Sequence, residues 1–386
     1  MSVRRVGPEY KYLDLVIRSF QETTTVRRQQ LRFEDYRDVP IVNDASAYKL
    51  SVQRFSIDTF QLPSLFFQIK RNQSDPNLGA YSVTLEYDDN LGGPYPTSGE
   101  TNLIWVPQNP DLPVPPPPDQ NAKDLQIFDE YYWSFSWEHV IEIVNTALAD
   151  AMASLIVAVP ALAAVQPPWL SWDSVAKVAT INGRESHFNT EVFPRVNIYF
   201  NRSLYSLFNS FNFTSFDKPV GAGMEHRVVM RPYNGSKIQV LPFFGVDNLI
   251  FHTQETSTVA NMSPVSSVLF TSSSLPVVSN DLSLPMIFVD GNQLSLGNTY
   301  SNTENVISDF VTDEDGYKPS LLYTPNEFRY ISMYNNNTPI KMVDISVWWK
   351  DYLGLLRPFY LPPGASASMK ILFKRLDAGE KERTHN

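Results

Sequence analysis

Side chains able to do chemistry are present in this chain, but their spacing serves no reaction. The five histidines, His139, His187, His226, His252 and His385, share no interval that would bring two ring nitrogens onto one metal ion. Cysteine is absent, which removes disulfides, thiolate ligands and thiol nucleophiles together. Gly364-Ala365-Ser366-Ala367-Ser368 begins like the turn that exposes a nucleophilic serine. It lacks the closing glycine, and it precedes a strand where that turn needs a helix. Asp313-Glu314-Asp315-Gly316 has the acidic start of a calcium loop without its twelve-residue spacing or closing glutamate, so it reads as an acidic turn. No glycine-rich phosphate loop ends in lysine. Of the reactions that remain, hydrolysis of a glycosidic bond needs two carboxylates brought together by folding, which spacing along the chain does not test. The sequence therefore assigns no catalytic, metal-binding or cofactor-binding residue, and no cofactor.

The elements that would have to position such residues are mostly strands. With 386 residues, 19% charged and 13% aromatic, the chain can bury a large core and is too apolar for disorder. Its longest apolar run, Ala151 to Val165, is broken at Pro160 and is too short to span a bilayer. No basic-then-apolar leader follows Met1, so secretion and a membrane span are not expected. The clearest stretch is Lys341 to Leu376. Val343, Ile345, Val347 and Trp349 alternate with polar neighbours, and Ala367, Met369, Ile371 and Phe373 do so again after Leu361-Pro362-Pro363-Gly364. Period two with β-branched and aromatic residues predicts two half-buried strands, read as a pair closing one sheet. Leu13, Leu15 and Ile17 predict a first strand. Tyr48, Leu50 and Val52 share a face before the apolar parity switches to Phe55 and Ile57, which predicts a β-bulge.

One helix stands out. Val140, Val144, Ala147, Leu148, Ala151, Met152 and Leu155 recur at three- and four-residue steps, Ser134 or Ser136 can cap the start, and Pro160 stops it. Many short strands with a single helix predict an all-β protein, a single jelly-roll β-sandwich with an inserted, partly helical subdomain. The expected organisation is a basic arm over residues 1–32 and a first part of the roll over 33–119, with a proline-rich loop at 88–119. An insertion over 120–225 carries the helix at 137–159. The second part of the roll covers 226–376, and a charged tail covers 377–386.

The run Ile345-Ser346-Val347-Trp348-Trp349-Lys350-Asp351, then Leu361 to Gly364 and Met369-Lys370-Ile371-Leu372-Phe373-Lys374, resembles the C-terminus of a viral capsid family. Thr271-Ser272-Ser273-Ser274-Leu275-Pro276-Val277, Ile307 to Phe310 and Tyr131 to Leu148 fit the same likeness. That family is the penton, or minor capsid, proteins of Polinton-, virophage- and adintovirus-type double-stranded DNA viruses. The resemblance implies a structural protein of the virion, made inside the host cell, and a homopentamer at icosahedral fivefold vertices. Its implied partners are further copies of itself, the major capsid protein and other vertex or attachment proteins, with no specific nucleic acid. The alternative from the residues alone is a carbohydrate-binding or attachment β-sandwich, and after it a glycoside hydrolase.

Two features bear on assembly. Tyr205, Phe208, Phe211 and Phe213 make an aromatic run proposed as a subunit interface, with core packing as its plain rival. Residues 1–32 carry seven Lys or Arg against three acids in a chain of net charge −10. Arg4, Arg5, Arg27 and Arg28 are therefore expected to contact something anionic, in an arm dispensable for folding.

Overall fold

The computed structural model describes residues 9–376 except 19–29, 59–61, 63, 71–74, 76, 109–130, 135, 216–222, 232–236, 240–247, 278–285, 290–291, 296–304, 312–319, 325–329, 334–338, 352–355, 360 and 362–363. The chain forms two compact units, one from residues 1–62 and 264–386, the other from 63–263 between them in sequence. The first segment holds β1 (Tyr10–Arg18), β2 (Arg32–Tyr36) and β3 (Tyr48–Asp58). The second unit holds β4 (Leu65–Gln68), β5 (Leu78–Asp88), β6 (Thr101–Ile104), β7 (Tyr131–Ser134), α1 (Trp137–Ala158), β8 (Trp169–Asp173), β9 (Val178–Arg184), α2 (Glu185–Phe188), β10 (Arg195–Phe200), α3 (Arg202–Leu207), β11 (Phe213–Ser215), β12 (His226–Val228), β13 (Lys237–Gln239), β14 (Leu249–Thr253) and α4 (Val259–Met262). The chain then returns to the first unit with β15 (Val265–Ser272), β16 (Met286–Val289), β17 (Asn292–Ser295), β18 (Asn305–Val311), β19 (Ser320–Tyr323), β20 (Ile331–Ser332), β21 (Met342–Asp351), β22 (Leu356–Pro358) and β23 (Ser366–Arg375).

The first unit is a jelly roll. Its two sheets run β1-β23-β3-β19 and β18-β15-β21-β2. Taken in chain order, β1 pairs with β23, β2 with β21, β3 with β19 and β15 with β18, all antiparallel, as when one long hairpin is wound over itself. The alternating residues point inward as the period-two pattern requires. Leu13, Leu15, Leu50, Phe55, Ile57, Val343, Ile345, Val347, Trp349, Ala367, Met369, Ile371 and Phe373 are all buried. Phe55 meets Phe270 edge to face at 4.5 Å, and Phe310 meets Phe270 at 5.0 Å, so rings from β3, β15 and β18 make an aromatic seam between the sheets. The bulge expected after Val52 is present. Arg54 stands opposite Lys370 and Val52 opposite Ile371, which leaves Gln53 extra and moves Phe55 and Ile57 to the core face.

The inserted unit is built around α1. The helix buries Val140, Val144, Leu148, Ala151, Met152 and Leu155, and it packs against β5, β6 and β8. Its strands form two larger antiparallel sheets, β11-β12-β10-β5-β6 and β13-β14-β9-β8, and the two-stranded pair β4-β7. The helix is long and apolar enough to cross a bilayer by length and composition, but its stripe is covered by this unit's own strands. Ser136 is the N-cap residue without a side-chain cap bond, and Pro160 opens a 3₁₀ turn just past the helix end. Gly223 has φ +78, and an added Cβ would lie 2.8 Å from Thr84 Oγ1, so a residue without Cβ lets this backbone lie on β5.

Three expectations need correction. The insertion spans 63–263 rather than 120–225, because β5, β6 and the strands after His226 pair within the inserted unit. Alternation marks a strand without naming its sheet. The two C-terminal strands likewise lie in opposite sheets, β21 beside β15 and β2, β23 beside β1 and β3. As seventh and eighth strands of the roll they cross the sandwich instead of pairing. The arm is not one segment either. Residues 10–18 are a strand paired along their whole length with β23, and Arg32–Tyr36, within a stretch whose polar mix hid a strand, forms β2 with Phe33 fully buried. The proline run Pro115–Pro118 and the tail 377–386 lie outside the described residues.

Candidate assembly site

The aromatic run falls on α3 and the turn into β11, where Asn201 caps the helix by accepting from the Leu204 amide at 2.9 Å. Phe208 and Phe211 are 1% and 4% exposed and pack on each other at 5.9 Å, with Phe200 6.2 Å from Phe208. They are core residues of the inserted unit, so the interface expected from them is corrected to packing inside the subunit. Their i, i+3 spacing puts both rings on the inner side of the turn. Tyr205 and Phe213 are only partly buried, 5.0 Å apart and edge to face, and Tyr205 stacks on His226 at 3.8 Å. Of the four, these two form the accessible rim. Arg4, Arg5, Arg27 and Arg28 lie outside the described residues.

The most heavily bonded side chain of the roll is one the sequence reading treated only as an outward alternator. Asp344 of β21 is 2% exposed. Its carboxylate accepts from Ser272 Oγ at 2.7 Å, from the Ser273 amide and hydroxyl at 3.2 and 2.5 Å, from the Ser274 amide at 2.9 Å and from the Ser274 hydroxyl. Arg32 of β2 completes the set, Nη2 to Oδ2 at 3.1 Å. Burial by itself would raise the carboxyl's pKa; the hydroxyls of Ser273, Ser274 and Ser272 and the Ser274 amide outweigh it and hold the group well below the usual carboxylate range. This nest ties the end of β15 to β21 and the edge strand β2. The triple serine at 272–274 was the available signal, and only the register that sets Asp344 beside it reveals the bond set.

Polar groups of the inserted unit gather on β5 and β10. Tyr199 Oη donates to Glu86 Oε1 at 2.9 Å and Asn197 Nδ2 to the same oxygen at 3.1 Å. Burial first, then the Glu86 carboxylate, push the Tyr199 hydroxyl well above its ordinary range. Arg195 donates through Nη2 to Asp88 at 2.9 Å in a pair largely shielded from water. Buried His252 accepts from the Asn212 amide at 3.2 Å, and burial lowers its pKa. His139 donates from Nε2 to the Val106 carbonyl at 2.8 Å, His226 bonds Ser215 at 2.9 Å and His187 bonds Ser186 at 2.6 Å. Each described histidine thus holds a local contact. Among the described residues no group of three or more His, Cys, Asp or Glu is placed to hold a metal ion.

An eight-stranded roll interrupted by a second unit between its third and fourth strands defines a jelly-roll protein, an architecture that viral shell proteins share with lectins and cupins. The profile of the Sputnik minor capsid protein V18/19 family matches residues 11–375, and the chain belongs to that family. The uncharacterized protein V18 of Sputnik virophage is 29% identical over 113 residues, a match spanning 29% of this chain and 65% of that relative's own length. A chain in the 3.5 Å cryo-EM structure of the Sputnik virophage superposes with a TM-score of 0.74 at 22% identity, over 96% of this chain and 98% of that one. The crystal structure of the mavirus penton protein superposes at 0.59 with 17% identity, over 96% of this chain and all of that one. The likeness read from the C-terminal strands is therefore borne out: the chain is a structural protein of the viral capsid.

Proposed function

We propose that the chain is the penton subunit, five copies of which close a ring at a fivefold vertex and act by packing rather than by catalysis. The observation that supports this is the fold shared with the mavirus penton protein across 96% of the chain, joined to membership of a minor capsid family. A ring of identical subunits needs two different surfaces that meet at every contact and a rotation that closes. The partly buried rim of Tyr205 and Phe213 is one candidate for such a surface, and the major capsid protein is the expected neighbour of the ring. Light scattering on the purified protein tests the reading. A species of five times the 43.9 kDa chain mass is expected; a monomer that persists at tens of micromolar, and that electron microscopy of assembled particles places away from the vertices, overturns it.

A further inference from the structure

The two larger sheets of the inserted unit are tied together at a histidine. His252 of β14 stands in register with Ile181 of β9 and is 1% exposed. Its Nε2 accepts from the Asn212 amide at 3.2 Å, and Asn212 leads directly into β11 of the other sheet. The segment 210–212 has two more ties to the chain just after β14. Glu255 donates its amide to the Ser210 carbonyl at 3.2 Å, and Ser210 Oγ donates to the Thr256 carbonyl at 2.6 Å. Of these three bonds, only the one to His252 depends on a titratable group. An imidazole nitrogen accepts through its lone pair, so this bond requires the neutral ring with its proton on Nδ1. Protonation at Nε2 would set two N–H groups against each other. It would also place a cation in a buried position beside Phe211, whose ring centre lies 6.0 Å away.

We propose that His252 is an acid-sensitive latch: while neutral it holds the segment entering β11 against β14, and when protonated it releases that segment. Burial opposes the charged ring, and Glu255 is the carboxylate whose field favours it. Among the described residues, the flanking elements turn no second charge toward it. β9 sets Ile181 opposite His252 and places Arg184 one residue out of phase, in register with Leu249. Lys237 of β13 is likewise out of phase, in register with Phe251. On α2, Glu185 accepts from Asn248 at 2.7 Å, before the start of β14, and His187 bonds Ser186. With the folded value below the ordinary one, the unfolded chain takes up the proton first. The latch therefore contributes fully above about pH 6.5 and weakens by up to tenfold for roughly each unit below, until the folded value is reached. The buried carboxylate of the roll keeps its stabilisation to far lower pH. Mild acid thus loosens the inserted unit while the roll stays closed. The inference concerns the single chain and does not depend on the fivefold reading.

The test is amide hydrogen exchange of the full-length protein, read by mass spectrometry about one unit above and one unit below the ordinary histidine value of about 6.5, and corrected for the intrinsic pH dependence of exchange. Peptides covering 210–215 should lose up to about tenfold in protection at the lower pH, while those covering 343–349 hold theirs. His252→Gln offers an amide oxygen that accepts at either pH, and His252→Leu offers no acceptor. Both should abolish the pH response, the second with protection low throughout. His226→Gln should retain it, which separates His252 from the partly buried histidine of β12. Deuteration at imidazole C2 needs no variant and should report a His252 pKa below the ordinary value in the wild-type protein. The proposal fails if wild-type protection over 210–215 is the same at both pH values, or if the loss persists in His252→Gln. It fails equally if His252 itself titrates at or above about 6.5.

Discussion

In the roll, Phe55, Phe270 and Phe310 meet between two sheets that are each apolar on the inner side. In the inserted unit, α1 supplies a large part of the core, and Trp137 stacks on Trp172 at 5.7 Å. The two regions also treat buried polar groups differently. The roll buries a carboxylate, Asp344, and surrounds it with donors. The inserted unit buries Ser82, Thr84 and Asn197 on β5 and β10, where Ser82 Oγ, Thr84 Oγ1 and Asn197 Oδ1 have no protein partner. A buried charge is intolerable without partners, whereas a hydroxyl or amide left short costs only about 1–3 kcal/mol. Both units therefore fix register with partnered charges, Asp344 in the roll and the Asp88–Arg195 pair across β5 and β10. The difference lies in the unpartnered hydroxyls and amide oxygen of the inserted unit, which specify little.

The largest expected effects test whether the two cores are independent. Phe55→Ala and Trp137→Ala each remove a ring at most 2% exposed and should cost about 3–5 kcal/mol. Differential scanning calorimetry should show Phe55→Ala lowering one transition and Trp137→Ala the other. A single transition lowered equally by both would show one cooperative core and dissolve the comparison.

Next in size is the Asp344 nest. Asp344→Asn keeps the shape but removes the charge that five donors and Arg32 share, and should destabilise the roll by about 3 kcal/mol at neutral pH. The sign with pH follows from the depressed folded pKa. The stabilisation is fully present above the unfolded carboxyl value of about 3.9 and is lost as pH falls from there through the folded value. Urea melts should then show wild type and Asp344→Asn converging in acid. A gap that stays constant down to pH 2, the acid end of about two units below the unfolded value, would mean the charge is not what the nest holds.

The smallest effects compare two helix starts in the inserted unit. Asn201 caps α3 with its side chain, and Asn201→Ala should cost about 1 kcal/mol. Ser136 makes no such bond at α1, so Ser136→Ala should change stability by less than about 0.5 kcal/mol. Equal losses in chemical denaturation would show that α1 is held by its cap as well as by its buried stripe.

Much of this was legible beforehand. Alternation over Val343–Trp349 and Ala367–Phe373, the parity switch between Val52 and Phe55, the stripe from Val140 to Leu155 and the stop at Pro160 each have a local cause, since a residue's face follows from its phase in the element. β2 was hidden because it is five residues long and Asp35 takes the inward position after Phe33, with Arg32, Glu34 and Tyr36 on the outer face, so one apolar residue stands where alternation needs two. Phe208 and Phe211 read as surface because an apolar residue wanting cover looks the same whether its own chain or a neighbour supplies it.

Strand identity, the bulge, the helix and the absence of thiol chemistry were decided by residue types and their phase along the chain. Which strand lies beside which was decided only in three dimensions. Pairing joins β1 to β23 across more than three hundred residues, and nothing in a local pattern encodes a partner that distant. The same long-range register set Asp344 against three serines and Lys374 against Lys49. Single residues carry the charge and the hydrogen-bonding capacity, but only the winding of the roll determines which of them meet.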